Sequence, residues 1–314
     1  MHPAYSVIIF TTASGAGYGL IILLASFGIA GDLPLTAKFG LVSLLLATSL
    51  VAVGLLSSTV HLGRPERAWR AFSQWRSSWL SREGVAAVVT FLPIAVFGFG
   101  WVFLNQLGGV FLYAAIAAIG MAIVTVSCTG MIYASLKTIP QWRNPLVLPV
   151  YLTLGLATGA LLLIPLSAAF GSFNPAFAAF ASAFLIVGLL EKLVYWRMID
   201  HRSNGSNIGT ATGLSSFGKV SLLEMPHTEE NFIMREMGYQ IARKHARRLR
   251  HVATATLFVF PIALCLLVLV AGEGAALPIG ILCVLVAAIG VGVERWLFFA
   301  EATHVSMLYY GQTV

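Results

Sequence analysis

Eight stretches of this 314-residue chain are long and apolar enough to cross a lipid bilayer, and six of them contain no Asp, Glu, Lys or Arg. A helix rising 1.5 Å per residue needs about 20 apolar residues to span the hydrocarbon layer. The stretches are Tyr5–Gly31, Phe39–Val60, Gly84–Leu104, Gly108–Leu136, Pro145–Phe173, Pro175–Trp196, Val252–Gly272 and Gly274–Phe299. Inside lipid the backbone must satisfy its own hydrogen bonds, which leaves helices or closed barrels. Barrel strands alternate polar and apolar residues, and these runs do not. The expected fold is therefore an all-α integral membrane protein, a bundle of eight transmembrane helices forming one domain over 1–314. Pro93, Pro149, Pro165, Pro261 and Pro278 fall inside the runs, as membrane helices tolerate. The first run follows no basic leader and no cleavage site, so it reads as a retained span.

A content of 58% hydrophobic and 10% charged residues excludes a soluble globular protein, a disordered chain and a nucleic-acid-binding module. The formal charge of +7 is unevenly spread: 17 of the 19 Lys and Arg residues lie on one side of the membrane, in its connections or, for Lys192, at the adjoining end of the sixth span. Lys38 lies on the other side and Arg295 within the eighth span. Cytoplasmic loops collect basic residues, so the basic face is read as cytoplasmic in a bacterial inner membrane, with both termini on that side. All seven histidines fall on or near this face.

Two connections on the basic side are more than linkers. In Arg64–Arg82, Pro65 suits the first turn of a helix, and Trp69, Phe72, Trp75 and Trp79 recur at helical spacing among arginines. This reads as a short amphipathic helix lying in the interface; its tryptophans are an aromatic belt or the cover of a ligand entrance. The connection 197–251 joins a small, polar, flexible stretch at Ser203–Gly218 to a charged helical pattern at Glu229–Arg250 that ends in RKHARRLR. It reads as an anchor on anionic lipid or a docking surface for a peripheral subunit.

Few side chains in the spans can carry chemistry. Cys128, Cys265 and Cys283 form no C-x-x-C pair, so neither an iron–sulfur cluster nor a structural zinc site is expected. No histidine sits at mid-membrane depth, which argues against a bis-histidine haem. His61 ends the second span in STVHLGRP, and Glu83 begins the third in SWLSREG. Packed as an antiparallel pair, these spans bring an imidazole and a carboxylate to one depth near the basic rim. Such a pair can exchange protons with a quinone, whose two-electron reduction takes up two protons. The alternatives are a carboxylate complementing a helix dipole and a histidine marking the membrane edge.

A second set is Glu191, Lys192, Glu294 and Arg295. The strings GLLEKLVYW (188–196) and GVERWLFF (292–299) both place an acid–base pair before aromatics at the basic end of a span. Neighbouring helix positions point about 100° apart, so each charge is expected to pair with another helix. Charge at that depth needs a partner or water. The set is either an interhelical clamp or a polar proton path, and the latter leaves a secondary transporter as an alternative. Transporters bind near mid-membrane, whereas these charges lie towards one end.

The strings HLGRPERAWRAF (61–72), SSWLSREG (77–84), IYASLKTIPQWRNP (132–145), PHTEENFIMREMGYQIARKHARRLR (226–250) and ERWLFFAEATH (294–304) resemble the DmsC-like (NrfD-type) membrane-anchor subunits of dimethyl sulfoxide reductase-family molybdoenzymes. The resemblance covers nearly the whole chain. It implies a subunit without haem or iron–sulfur cluster of its own that binds a quinone, ubiquinone or menaquinone. It also implies an iron–sulfur subunit and a molybdopterin catalytic subunit as partners, here docked on the cytoplasmic face. The family's quinol-site histidine matches His61 and its glutamate matches Glu83. Arg64 is assigned to orient a quinone headgroup or a lipid phosphate, and Trp69, Trp75 and Trp79 to cover the entrance. The opening HPAYSVIIFTTASGAGYG and the basic orientation are most similar to the anchors of cytoplasmic sulfite dehydrogenases; an anchor for dimethyl sulfoxide or another oxyanion reductase, oxidising quinol, is the alternative within the family.

Overall fold

A computed structural model describes residues 3–60, 62–201, 205–224, 229, 231–238 and 241–311. All eight expected spans are helices: α1 (Tyr5–Ala30), α2 (Ala37–Ser57), α3 (Trp79–Leu104), α4 (Val110–Ala134), α5 (Val147–Ala169), α6 (Pro175–Asp200), a seventh over His245–Ala271, and an eighth over Glu273–Ala300. Among the described residues between the sixth and seventh lie the short helices α7 (Ile208–Thr212) and α8 (Phe232–Met237). The seventh span comprises the end of α9 (Ile241–Ala253), a π-helical turn (Thr254–Val259) and α10 (Phe260–Ala271); the eighth is α11. No strand occurs among the described residues.

Several helices outrun their apolar stretches. α3 starts at Trp79, five residues before the expected Gly84, because Ser78 caps it by accepting the Ser81 N–H at 3.5 Å. α6 continues past Trp196 to Asp200. Hydropathy marks the lipid boundary, but backbone hydrogen bonding carries a helix beyond it.

α1 and α5 form the centre of the bundle, with 61% and 72% of their apolar windows buried, against 33–39% for the other six. They approach to backbone contact where Gly15 and Gly19 meet Gly155 and Gly159: a Cβ on Gly19 would fall 1.9 Å from the Gly155 carbonyl oxygen. Small residues four apart are the membrane device for such close crossings. Around this pair, α2 and α4 pack on α1, α6 and α11 pack on α5, and α3 packs on α4. The π turn has two local causes. Pro261 lacks an N–H, and its ring would crowd the Leu257 carbonyl one turn earlier. Gly290 of α11 also presses on the turn, where a Cβ would meet Leu257 N at 2.4 Å.

Two connections depart from expectation. The segment after Arg64 is a 3-10 helix, Pro65–Gln74, followed by a turn at Trp75–Ser77. Trp79 belongs to α3, so the aromatic stripe does not lie on one interfacial helix. The polar stretch at 203–218 is not all loop: Asn207 and Thr210 form a reciprocal capping box that starts α7, and Ser215–Phe217 is a 3-10 turn. The Tyr309 hydroxyl donates to the Ala211 carbonyl at 2.8 Å and ties the C-terminal 3-10 helix Val305–Tyr310 to this segment.

Candidate functional site

Glu83 is the fifth residue of α3, one turn beyond the start, so it is not in the position that best complements the helix dipole. Its side chain turns into the bundle and is only 4% exposed. The Thr129 hydroxyl of α4 donates to Glu83 Oε1. Below it, Thr125 and Thr90 join their hydroxyls at 3.0 Å across the same helix pair. Among the described residues no cation pairs with Glu83. His61 lies outside the described residues. Arg64 is exposed on the link before the 3-10 helix.

Trp69 and Trp75 are 66% and 52% exposed. Each of the three tryptophans carries a neighbouring guanidinium: Arg70 over Trp69 at 5.7 Å, Arg76 over Trp75 at 5.4 Å and Arg82 over Trp79 at 4.3 Å. Arg82 also donates to the carbonyls of Trp75 and Arg76 at 3.0 and 2.7 Å. It pins the end of the 3-10 segment to the start of α3. Phe72 rests on Gly84, where a Cβ would lie 3.2 Å from its ring. The aromatic segment thus packs beside the helix turn that carries Glu83.

Of the second set, three residues come together. Lys192 Nζ lies 2.6 Å from Glu294 Oε1, and Arg295 Nε bonds the other oxygen of the same carboxylate. All three side chains are buried. The expectation that every charge pairs with another helix holds for Lys192–Glu294 but not for Arg295, which folds back onto its own neighbour. Aromatic faces complete the solvation: Lys192 Nζ lies 4.2 Å from the Tyr195 ring centre, and Arg295 Cζ lies 4.3 Å from that of Tyr151. Ring quadrupoles attract desolvated cations in this way. Glu191 stands apart, accepting the Thr153 hydroxyl of α5 at 3.2 Å.

A third charged cluster was not singled out from the sequence. Arg250 of α9 makes a two-pronged pair with Asp200 of α6, at 2.7 and 2.9 Å, and reaches Glu301 after α11 at 2.9 Å. Burial raises the Glu301 carboxyl above the usual carboxylate range, and the Arg250 guanidinium opposes that rise. The only sequence signal was the rarity of acids: Asp200 and Glu301 sit just past the ends of adjacent spans. Gln141 closes the same end, donating to Thr303 at 2.8 Å and accepting the Thr303 N–H at 3.1 Å.

A polar crevice between α1, α4, α5 and α11 joins the first two sites. Thr129 lines it on one side, and Tyr151 and Arg295 on the other. Chemically, the arrangement offers one unpaired buried carboxyl at the basic end of the bundle and, across the crevice, a neutralised acid with two cations around it. Among the described residues no group of His, Cys, Asp and Glu is arranged to hold a metal ion.

Comparison with known proteins bears on the whole chain. A family model described as "DMSO reductase anchor subunit (DmsC)" matches residues 1–311. A sulfite dehydrogenase subunit from Allochromatium vinosum is 35% identical over 327 aligned positions, which cover 99% of each chain. No solved structure matches.

Proposed function

The chain belongs to the DMSO reductase anchor subunit family, a multi-pass membrane family, and from that premise we propose that it anchors a molybdoenzyme to the bacterial inner membrane and passes electrons between a partner iron–sulfur subunit and the quinone pool. The similarity to a sulfite dehydrogenase subunit over the full length of both chains supports sulfite as the partner's substrate. The complex is then a sulfite:quinone oxidoreductase. The iron–sulfur and molybdopterin subunits dock on the basic face, which is cytoplasmic by its charge. The exposed arginines around Trp69 and the connection 197–251 supply the surface.

One observation carries the assignment of the site: the Glu83 carboxyl is buried near the basic rim with a hydroxyl as its described partner and no described cation. Burying a carboxylate without a counter-charge is costly. Glu294, by contrast, is paired twice, and Glu191, which also accepts a hydroxyl without a cation, is only half-buried. Glu83 is instead free to gain and lose a proton. A bound quinone supplies the two-electron, two-proton chemistry. Glu83 holds and passes a proton, and Thr129 fixes which carboxyl oxygen is directed at the neighbouring helix. His61 is assigned as the hydrogen-bond and proton partner of a quinone carbonyl, and Arg64 orients the headgroup or a lipid phosphate. Trp69, Trp75 and Trp79 shield the approach. The family description itself names dimethyl sulfoxide reductase, and the same residues serve quinol oxidation if the partner is a reductase.

The test uses the complete complex carrying Glu83→Gln. Turnover of sulfite with quinone is expected to fall by about 10²-fold, the scale of a lost proton relay. Turnover with a soluble acceptor that takes electrons directly from the catalytic partner stays unchanged. Undiminished quinone-coupled turnover removes Glu83 from the mechanism.

A further inference from the structure

Two spaces meet inside the bundle. The crevice bordered by Thr129, Tyr151 and Arg295 has about 20 Å³ of free volume, the room of one water-sized oxygen. Beside it runs an apolar groove of about 220 Å³ between α1, α5 and α11, walled by residues such as Ala13, Leu161 and Val284. Thr12, Ala16, Thr158 and Val291 line both spaces. Ala288, on the groove's outer wall, is exposed on the span surface, so the groove opens to lipid.

The crevice holds donors that the protein leaves unmatched. Arg295 Nη2 and the Tyr151 hydroxyl are buried and face each other, and neither has a hydrogen-bond partner outside that pair. The guanidinium lies over the Tyr151 ring at 4.3 Å, and its Nε is committed to Glu294. An unsatisfied buried donor costs about 1–3 kcal/mol, more when charged. Lys192, Glu294 and Arg295 together carry one excess positive charge. The crevice therefore favours an acceptor oxygen, and the groove favours an apolar body. A lone water meets the first demand and leaves the groove unused; an acceptor-headed lipid-soluble molecule meets both.

We propose that the quinone enters here. Its ring and tail lie in the α1–α5–α11 groove, and one carbonyl oxygen projects between Thr12 and Thr158 into the crevice towards Arg295 Nη2 and the Tyr151 hydroxyl. The inference rests on the quinone reading above and moves the entrance away from Trp69, Trp75 and Trp79. It keeps the link to Glu83, because Thr129, which donates to Glu83, forms the opposite wall. Arg295 and Tyr151 bind the acceptor oxygen, and Glu294 and Lys192 are positioning residues that hold Arg295 in place.

The complete complex in lipid nanodiscs is irradiated with an azido-benzoquinone bearing a short isoprenoid tail, and labelled peptides are identified by mass spectrometry. Label protected by unlabelled quinone is expected within residues 12–16, 158–162 or 284–291. Ala16→Phe, which fills the wall common to both spaces, is expected to lower that label by about tenfold, equivalent to about 1.4 kcal/mol of binding. Thr158→Leu serves the same purpose if Ala16→Phe fails to assemble. Label confined to residues 61–83 overturns the groove and leaves the quinone reading intact. No quinone-protectable label anywhere overturns both. Oleate that displaces the label as well as quinone does assigns the groove to a fatty acid and overturns the proposal.

Discussion

Glu83 and Glu294 are both buried near the basic end, yet their surroundings are opposite. Glu294 sits between two cations, Lys192 at 2.6 Å and Arg295 on its other oxygen. Removing one partner of a buried pair is far costlier than never burying it, by about 3–5 kcal/mol, because a charge is left without compensation. The triad makes this asymmetric. Glu294→Gln leaves two cations with no anion and is expected to cost about 3–5 kcal/mol. Lys192→Met leaves a neutral Glu294–Arg295 pair and is expected to cost distinctly less. Thermal unfolding of the two variants in detergent checks the order, and a milder Glu294→Gln refutes the triad's charge balance. The sequence shows that these charges are deep and adjacent. It does not show that Glu191 bonds Thr153 instead of joining them, because that depends on the rotation of α6. Thr129 left no trace either: one threonine in an apolar run becomes a ligand of Glu83 only once α3 and α4 are in register.

At the scale of elements, the decisive contact is the crossing of α1 and α5. Both spans looked like ordinary apolar runs, and nothing in their hydropathy separates them from the other six. Their glycines do. Gly19 has the Gly155 carbonyl oxygen 1.9 Å from where its Cβ would be, and Gly159 has backbone of α1 at 2.4 Å. Packing between helices in lipid relies on such close van der Waals approach rather than on the hydrophobic effect. Gly19→Ala is therefore expected to cost about 3 kcal/mol or more, the upper range of overpacking, because rigid backbone must move. Gly120 has open space around its Cβ position, and Gly120→Ala is expected to be neutral or stabilising by up to about 1 kcal/mol from helix propensity. The yield of folded protein and its Tm distinguish the two. The 3-10 segment at Pro65–Gln74 shows the opposite limit. Its aromatic spacing was legible, but whether ten residues wind as α or 3-10, and whether Trp79 belongs to them, is decided by Ser78, Arg82 and the packing of Phe72 on Gly84.

For the molecule as a whole, the proposed assembly puts the partner surface on the basic face and, by the charge bias of membrane loops, that face in the cytoplasm. A green fluorescent protein fused after the C-terminus is expected to fluoresce, and alkaline phosphatase at the same position to be inactive. The reverse pattern refutes the orientation and with it the cytoplasmic docking of the partners. Arg250, bound to Asp200 and Glu301, ties the α6, α9 and α11 ends together beneath that surface. The number of spans, their all-helical nature and the sidedness of the charge were determined by the sequence alone, because each depends on a property summed along one stretch: apolar length against bilayer thickness, or basic residues per connection. The tertiary structure alone decided which carboxylate is paired with cations and which is not, that Arg295 Nη2 and the Tyr151 hydroxyl have no partner beyond each other, and that an apolar groove adjoins the crevice they line. These depend on the rotation and crossing of helices whose hydropathy is nearly uniform around their circumference. Scattered glycines, threonines and a few charges set those rotations, and their meaning appears only when the helices meet.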